Sequence, residues 1–307
     1  MVPSVKPATS TNSTGPWTIR RVVAWVTEDF KSRGIEAPRL EAEILLCHVL
    51  RCERLTLLID RDRELDPLEL SQYRRLVLRR RDHEPAAYLI GRREFYGIDF
   101  EVDSNVLIPR QDTETLVEVA LERTRDRSMF GLAVDVCTGS GNVAISFARE
   151  RRTWRVVGVD LSFGAIGVAR RNAVRTGAVW NTWFAQGDVL SPVREHGPFD
   201  LVIANPPYIP TAEITGLPAE IRDHEPRRAL DGGLDGLDMV RRLITEAPSC
   251  LKTDGVLALE IGFDQGRKTA QLMAGMGYTE VRVNADLGNR ERVVSGIRPS
   301  NPRVANV

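Results

Sequence analysis

The stretch Asn205-Pro206-Pro207-Tyr208 places two hydrogen-bond acceptors, a stiffened backbone and a flat aromatic ring within four residues. It follows Phe199-Asp200-Leu201-Val202-Ile203-Ala204, an apolar run that reads as a buried strand. Proline has no N–H for a sheet ladder and fixes its own φ, and Pro207 also biases Pro206 toward an extended conformation. The strand therefore ends in a rigid corner at the carboxyl edge of a sheet, where open α/β folds bind ligands. The Asn205 side-chain oxygen and the Pro206 carbonyl are both acceptors. Converging, they hold both hydrogens of one planar –NH2 group, with Tyr208 as a flat face beside it. An amide or aromatic amine attacks poorly because its lone pair is delocalised. Gripping both hydrogens orients the nitrogen and favours the geometry in which that lone pair is free. The bland alternative is a turn that merely ends a strand.

Three further strand ends carry candidate groups. Asp135-Val136-Cys137-Thr138-Gly139-Ser140-Gly141 follows the first expected strand and opens a helix, and its small residues permit a sharp turn and a close ligand approach. A dinucleotide enzyme uses a similar loop, but its Gly-x-Gly-x-x-Gly spacing is missing here. Cys137 fits such a turn if its φ stays negative. Asp160 ends the next strand, where a carboxylate can accept from both hydroxyls of a ribose. It reads otherwise as a helix cap, a task Ser162 can also do. Asp188, after the third strand, is suited to an exocyclic adenine amine, with Val189 packing the ring. Alone, Asp188 reads equally as a turn aspartate.

Elements must bring these positions together. Residues 17–88 carry helical periodicity: Val22, Val23, Val26 and Phe30, then Leu40, Ile44, Leu45, Val49 and Leu50. Asp66-Pro67-Leu68-Glu69 has the form of a capping box with proline at the first helical position. This is a small helical domain without evident chemistry, suited to holding a partner. His48 and His83 read as ordinary surface or core residues. Residues 89–112 read as a β-hairpin linker between domains, with the hairpin at Glu94–Gly97 and Asp99–Val102. Asp112 or Thr113 then caps a helix to about Arg125. Over 113–300 the pattern alternates, with strands expected at Leu132–Val136, Val156–Asp160, Thr182–Gln186, Leu201–Ala204, Val256–Ile261, Glu280–Asn284 and Glu291–Ile297. Alternation implies a doubly wound, mostly parallel sheet with helices on both faces. Only Asp286-Leu287-Gly288-Asn289-Arg290 separates the last two strands, too short for a crossover, so they form an antiparallel hairpin. Tails are expected over 1–16 and 301–307, the first from its Ser, Thr and Pro content.

Composition narrows the partners. The 307 residues are 42% hydrophobic with a formal net charge of +0. That is globular and lacks the basic excess of a protein that grips a nucleic-acid backbone, so no direct nucleic-acid binding is expected. Arg79-Arg80-Arg81 and Arg151-Arg152 read as solvated helix faces. The four cysteines (Cys47, Cys52, Cys137 and Cys250) match neither a zinc pattern nor a disulfide framework, and no metal is expected. No membrane span or signal-peptide core is evident, so the expected location is the cytoplasm.

The tetrapeptide after a strand resembles the catalytic motif of amino-methyltransferases. The line of strand ends, and the doubly wound sheet closing in an antiparallel hairpin, resemble the class I methyltransferase core. That resemblance implies S-adenosyl-L-methionine as cofactor: Cys137, Thr138, Gly139, Ser140 and Gly141 around its methionine part, Asp160 on the ribose, Asp188 and Val189 at adenine, and Asn205 beside the methyl group. Many members carry glycine at the position of Cys137. Cys137 as a nucleophile is not expected, because methyl transfer from a sulfonium needs no covalent step.

Nearly the whole chain after the first tail is similar to the peptide chain release factor glutamine N5-methyltransferases, the HemK/PrmC family. The stretches are Glu84-Pro85 with Tyr88-Leu89-Ile90-Gly91, Phe95-Tyr96-Gly97, Ile108-Pro109-Arg110-Gln111-Asp112-Thr113-Glu114 and Asn205-Pro206-Pro207-Tyr208-Ile209-Pro210. Arg222-Asp223-His224-Glu225-Pro226, Ala229-Leu230-Asp231-Gly232-Gly233, Asp235-Gly236-Leu237-Asp238 and Glu260-Ile261-Gly262 follow. Gln111 departs from the usual proline. The resemblance implies Asn205, Pro206, Pro207 and Tyr208 as the catalytic corner, and release factors as protein substrates of a translation-termination enzyme. His224 and Glu225 are expected to have a structural role. Two alternatives share the tetrapeptide: glutamine methylation of ribosomal protein L3, whose enzymes typically lack the 108–114 stretch, and adenine N6-methylation of DNA or RNA, since adenine also presents a planar –NH2.

Overall fold

The computed structural model describes residues 15–298. The expected tails, apart from Gly15 and Pro16, lie outside them. The chain divides into two compact units, with the division after Ile90.

The first unit is helical: α1 (Ile19–Ser32), α2 (Pro38–Leu50), α3 (Arg54–Ile59), α4 (Pro67–Arg81) and α5 (Ala86–Ile90). Thr18 caps α1 by accepting from the Arg21 N–H. The capping box at α4 forms as its sequence predicts: Asp66 Oδ1 accepts from Glu69 N at 2.8 Å, and Glu69 Oε2 from Asp66 N at 2.9 Å. Val22, Val26 and Phe30 recur every four residues on one face of α1 and are buried with Leu45, Leu46, Tyr73 and Val77. Each such side chain contributes roughly 1.5–3 kcal/mol by leaving water. The Tyr73 hydroxyl, carried into that core, donates to the Ala42 carbonyl at 2.9 Å.

The second unit holds β1 (Arg92–Phe95), β2 (Ile98–Glu101), α6 (Glu114–Arg123), β3 (Leu132–Val136), α7 (Asn142–Glu150), β4 (Arg155–Asp160), α8 (Phe163–Thr176), β5 (Thr182–Gln186) and β6 (Phe199–Ala204). The short α9 (Ala219–Arg222), then α10 (Asp238–Glu246), β7 (Leu251–Glu260), α11 (Gly266–Gly275), β8 (Thr279–Ala285) and β9 (Glu291–Ile297) complete it. The seven-stranded sheet runs β5-β4-β3-β6-β7-β9-β8. β3 pairs in parallel with both β4 and β6, and the final β8–β9 pair is antiparallel. Chain order reverses between β3 and β6, so their carboxyl ends border the crevice where such sheets bind ligands. Every residue of β6 is buried, which explains its apolar run from Leu201 to Ala204.

Three expectations need correction here. β7 begins at Leu251 rather than Val256. Lys252-Thr253-Asp254-Gly255 reads as a turn, and Asp254 has φ +63°, yet a shift in register between Phe199 and Leu201 lets the strand continue through it. The hairpin expected as a linker is instead part of the second unit. Phe95 and Phe100 are buried in one cluster with Leu116 and Val117 of α6. Buried Asn172 of α8 clamps β2 by accepting from Glu101 N at 2.7 Å and donating to Glu101 O at 2.9 Å. The helix after the hairpin ends at Arg123, two residues earlier than expected.

Candidate functional site

The glycine-rich loop is shaped from beneath. Gly139 and Gly141 have φ of +53° and +78°, the left-handed region that glycine adopts without steric cost. Thr138 and Ser140 are buried, so the loop offers mainly backbone. Thr138 Oγ1 donates to Asp135 Oδ2 at 2.6 Å, and the same oxygen accepts from Ala144 N at 3.1 Å, which ties β3 to α7. Burial pushes the Asp135 carboxyl up to about 7. Asn172 also donates to the Ser140 carbonyl at 2.9 Å, joining loop and hairpin through one amide. Sequence reading names Asp135 without giving it a role and misses Asn172. A polar residue on an otherwise apolar strand or helix face was the available signal.

Cys137 corrects a further expectation: its φ is +62°, not negative. The turn demands a left-handed residue here, and a side chain in that region costs roughly 1–2 kcal/mol. Burial raises its thiol pKa well above the ordinary value, so little thiolate forms.

Asp160 lies at the next strand end with both oxygens turned to backbone. Oδ2 accepts from Gly139 N at 2.9 Å and Oδ1 from Ser162 N at 2.8 Å. A carboxylate has about four acceptor positions, so capacity remains for hydroxyls. Burial raises this carboxyl, and the two N–H groups pull it back. Ser162, not Asp160, caps α8 with its side chain. Leu161, directly after Asp160, is 58% exposed and gives apolar surface beside the carboxylate, which sequence reading did not single out.

Asp188 is exposed and paired with Arg242 of α10 at 3.1 and 2.8 Å, which holds its carboxyl below the ordinary range. Exposed pairs are worth about 0.2–1 kcal/mol, so this one can yield to a ligand. Val189, expected to pack a ring, is only 4% exposed, and its side chain is taken up in the core cluster with Leu190 and Val193.

At the corner itself, Asn205 Nδ2 donates to Thr113 Oγ1 at 3.2 Å. That engages one N–H of the amide, and no described residue donates to Oδ1. No described residue donates to the Pro206 carbonyl. Pro206 and Pro207 are buried, while Asn205 and Tyr208 are half-buried. The Tyr208 carbonyl is held by Gln265 Nε2 at 2.9 Å. Residues 229–237 run alongside as a brace: Ile209 N donates to Leu230 O at 3.0 Å, and Gly232 N donates to Ile209 O at 2.8 Å.

The 108–114 stretch sits against this corner, and each polar residue in it has a task. Arg110 pairs with the buried Glu225 carboxylate, which also accepts from Ile108 N at 3.2 Å. Glu225 is therefore structural, as expected. Gln111 opens a 3₁₀ turn although proline is absent. Asp112 pairs with Arg292 at 3.0 Å. Thr113 holds Asn205 rather than capping α6, its side chain making no cap bond. Glu114 accepts from Tyr96 N at 2.9 Å in the tight turn of the hairpin.

At the end of β7, level with this corner, lies Glu260. It is 1% exposed, and burial pushes its carboxyl up to about 7. Among the described residues no group of three or more His, Cys, Asp and Glu could hold a metal ion. No helix there is long and apolar enough to cross a membrane.

Residues 21–91 match the PrmC N-terminal domain, and residues 133–224 match a methyltransferase domain. The release factor glutamine methyltransferase of Geobacter sulfurreducens is 41% identical over 91% of this chain and 96% of its own. That of Moorella thermoacetica is 42% identical over 90% and 96%. A solved protein-(glutamine-N5) methyltransferase (release factor-specific) from Alicyclobacillus acidocaldarius is 31% identical, covering 65% of this chain and 99% of that one with a TM-score of 0.41. With such identity sustained across both units, the chain belongs to the release factor glutamine methyltransferase family.

Proposed function

We propose that this protein methylates the side-chain amide nitrogen of the glutamine in the Gly-Gly-Gln motif of peptide chain release factors. S-adenosyl-L-methionine is the methyl donor, a sulfonium whose methyl carbon accepts an attacking nitrogen. The residues present suit it. The loop from Cys137 to Gly141 offers backbone beneath the methionine part, Asp160 keeps acceptor capacity for the ribose hydroxyls, and Asp188 with Leu161 serves the adenine.

The observation that carries the reading is the Asn205 amide. With Nδ2 bonded to Thr113, Oδ1 is available to accept from a substrate –NH2, and the Pro206 carbonyl is free to take the second hydrogen. A carboxamide held by both hydrogens cannot rotate, and its nitrogen lone pair is directed out of the amide plane. No general base is needed, since a methylated, protonated amide loses its proton to water readily. The acceleration comes from positioning, with reacting atoms about 3–3.5 Å apart. Tyr208 adds a flat wall, and Arg110–Glu225 fixes the segment that carries Thr113.

Release factors are favoured over ribosomal protein L3 and over DNA or RNA adenine by the 108–114 stretch and by the names of the relatives. A translation substrate places the enzyme in the cytoplasm. The test is mass spectrometry of the Gly-Gly-Gln peptide from a release factor incubated with the cofactor, with and without this protein. A gain of one methyl on the glutamine supports the proposal. An unmodified peptide, with label appearing on ribosomal protein or DNA in parallel reactions, overturns it.

A further inference from the structure

We infer that Glu260 is a positioning residue for this reaction: by taking the Thr113 hydroxyl proton, it sets which end of the Asn205 carboxamide meets the substrate. The inference rests on the function proposed above. In the sheet Ala204 pairs with Leu259, so Asn205 and Glu260 are the next residues on adjacent strands, side by side at the carboxyl edge. Glu260 is fully buried, and its Oε2 has no hydrogen-bond partner among the described residues. The groups around that carboxyl are the Thr113 and Tyr208 hydroxyls, the Arg292 guanidinium and the Asp112 carboxylate. Arg292 is already engaged by Asp112 at 3.0 Å and Asp286 at 3.1 Å. Thr113 is 2% exposed, and its oxygen already accepts from Asn205 Nδ2. Its single proton needs an acceptor, because a buried hydroxyl left unpaired costs roughly 1–3 kcal/mol. Glu260 is the carboxylate in position to take it.

Two arrangements follow. An ionised Glu260 only accepts, so Thr113 donates to it, receives Asn205 Nδ2 and leaves Asn205 Oδ1 for the substrate. A protonated Glu260 donates to Thr113 instead. Thr113 then turns its proton toward Asn205, whose amide answers with Oδ1 and presents –NH2 to the substrate –NH2, donor against donor. Because burial pushes the Glu260 carboxyl up to about 7, both arrangements lie within reach of neutral pH.

The test is single-turnover methyl transfer from tritiated S-adenosylmethionine to a full-length release factor between pH 5.5 and 8.5, with cofactor affinity measured by calorimetry. The wild type is expected to lose rate as pH falls through about 7 at unchanged cofactor affinity. Glu260→Gln cannot titrate, so it should lose that acid limb and run about tenfold slower at pH 8. Thr113→Ser should keep the wild-type rate, and Thr113→Val should lose about tenfold or more while still binding cofactor. An acid limb retained in Glu260→Gln assigns the titration elsewhere, with Asp135 the next group, and overturns the inference. Should Glu260→Gln fail to fold, Thr113→Val decides, and a wild-type rate there overturns the inference equally. A wild type that leaves the release factor unlabelled contradicts the proposed function instead.

Discussion

Replacing Gly232 with alanine puts a methyl group where nothing can swing aside. The added Cβ would lie 2.8 Å from the Pro207 carbonyl oxygen, 2.8 Å from Tyr208 Cα and 2.8 Å from the Gly236 carbonyl oxygen, all backbone atoms. Carbon contacts settle near 3.5–4.0 Å, so the brace and the corner must part by roughly 0.7–1.2 Å. Overpacking of this kind costs about 1–3 kcal/mol, which a domain stable by about 5–15 kcal/mol survives. The site is less tolerant, since a misplacement of about 1 Å can cost on the order of 10²-fold in rate. Gly232→Ala should therefore stay folded and bind cofactor within a few-fold of wild type, because Asp160 and the glycine-rich loop lie on other strand ends. Its single-turnover rate should drop about 10²-fold. Gly216→Ala, whose Cβ meets nothing within 4 Å, is the control and should be neutral. A folded Gly232→Ala enzyme within threefold of the wild-type rate would refute the view that this brace sets the position of Asn205.

Asp160→Ala should weaken cofactor binding about 10–100-fold by calorimetry, the worth of hydrogen bonds to a charged group, with far less change in rate at saturating cofactor; unchanged affinity contradicts its assignment to the ribose. Cys137→Gly exchanges left-handed strain of roughly 1–2 kcal/mol for a glycine entropy cost of roughly 0.5–1 kcal/mol, so the thermal midpoint should hold or rise by a few degrees, whereas Cys137→Val should lower it. A lower midpoint for the glycine variant would be evidence against strain there. Asp135 and Glu260 both bind a proton more tightly in the folded chain, each with its carboxyl pushed up to about 7. Their contribution to stability is full below about pH 4, their ordinary range, and is lost as pH rises through about 7. Asp135→Asn should accordingly destabilise more at pH 5 than at pH 8 in denaturant titrations, and the opposite order contradicts the raised carboxyl.

The strands were readable because a central strand buried on both faces must be an unbroken apolar run, as Leu201–Ala204 is, and because turn residues bound it. The capping box at Asp66 was readable because both partners lie within four residues. What escaped reading depends on distant partners. Thr113 meets Asn205 across 92 positions, and nothing local in Asp112-Thr113-Glu114 distinguishes a helix cap from a hydroxyl that orients an amide. Glu260 looked like a motif letter, since burial of a carboxylate is a property of the packed sheet. That Val189 packs with Leu190 and Val193 is likewise a property of the folded chain. The hairpin looked like a joint because its polar positions hid the two phenylalanines that anchor it to α6.

The central claim is that Asn205 acts on the substrate amide and not on the fold or the cofactor. Asn205→Ala separates these in one experiment, comparing single-turnover methyl transfer to a release factor with the calorimetric affinity for S-adenosylmethionine. The rate should fall by about 10³-fold or more, since both the positioning and the acceptor are lost, while cofactor affinity stays within about tenfold. Rate and affinity falling together, or a rate that survives the substitution, would contradict the account.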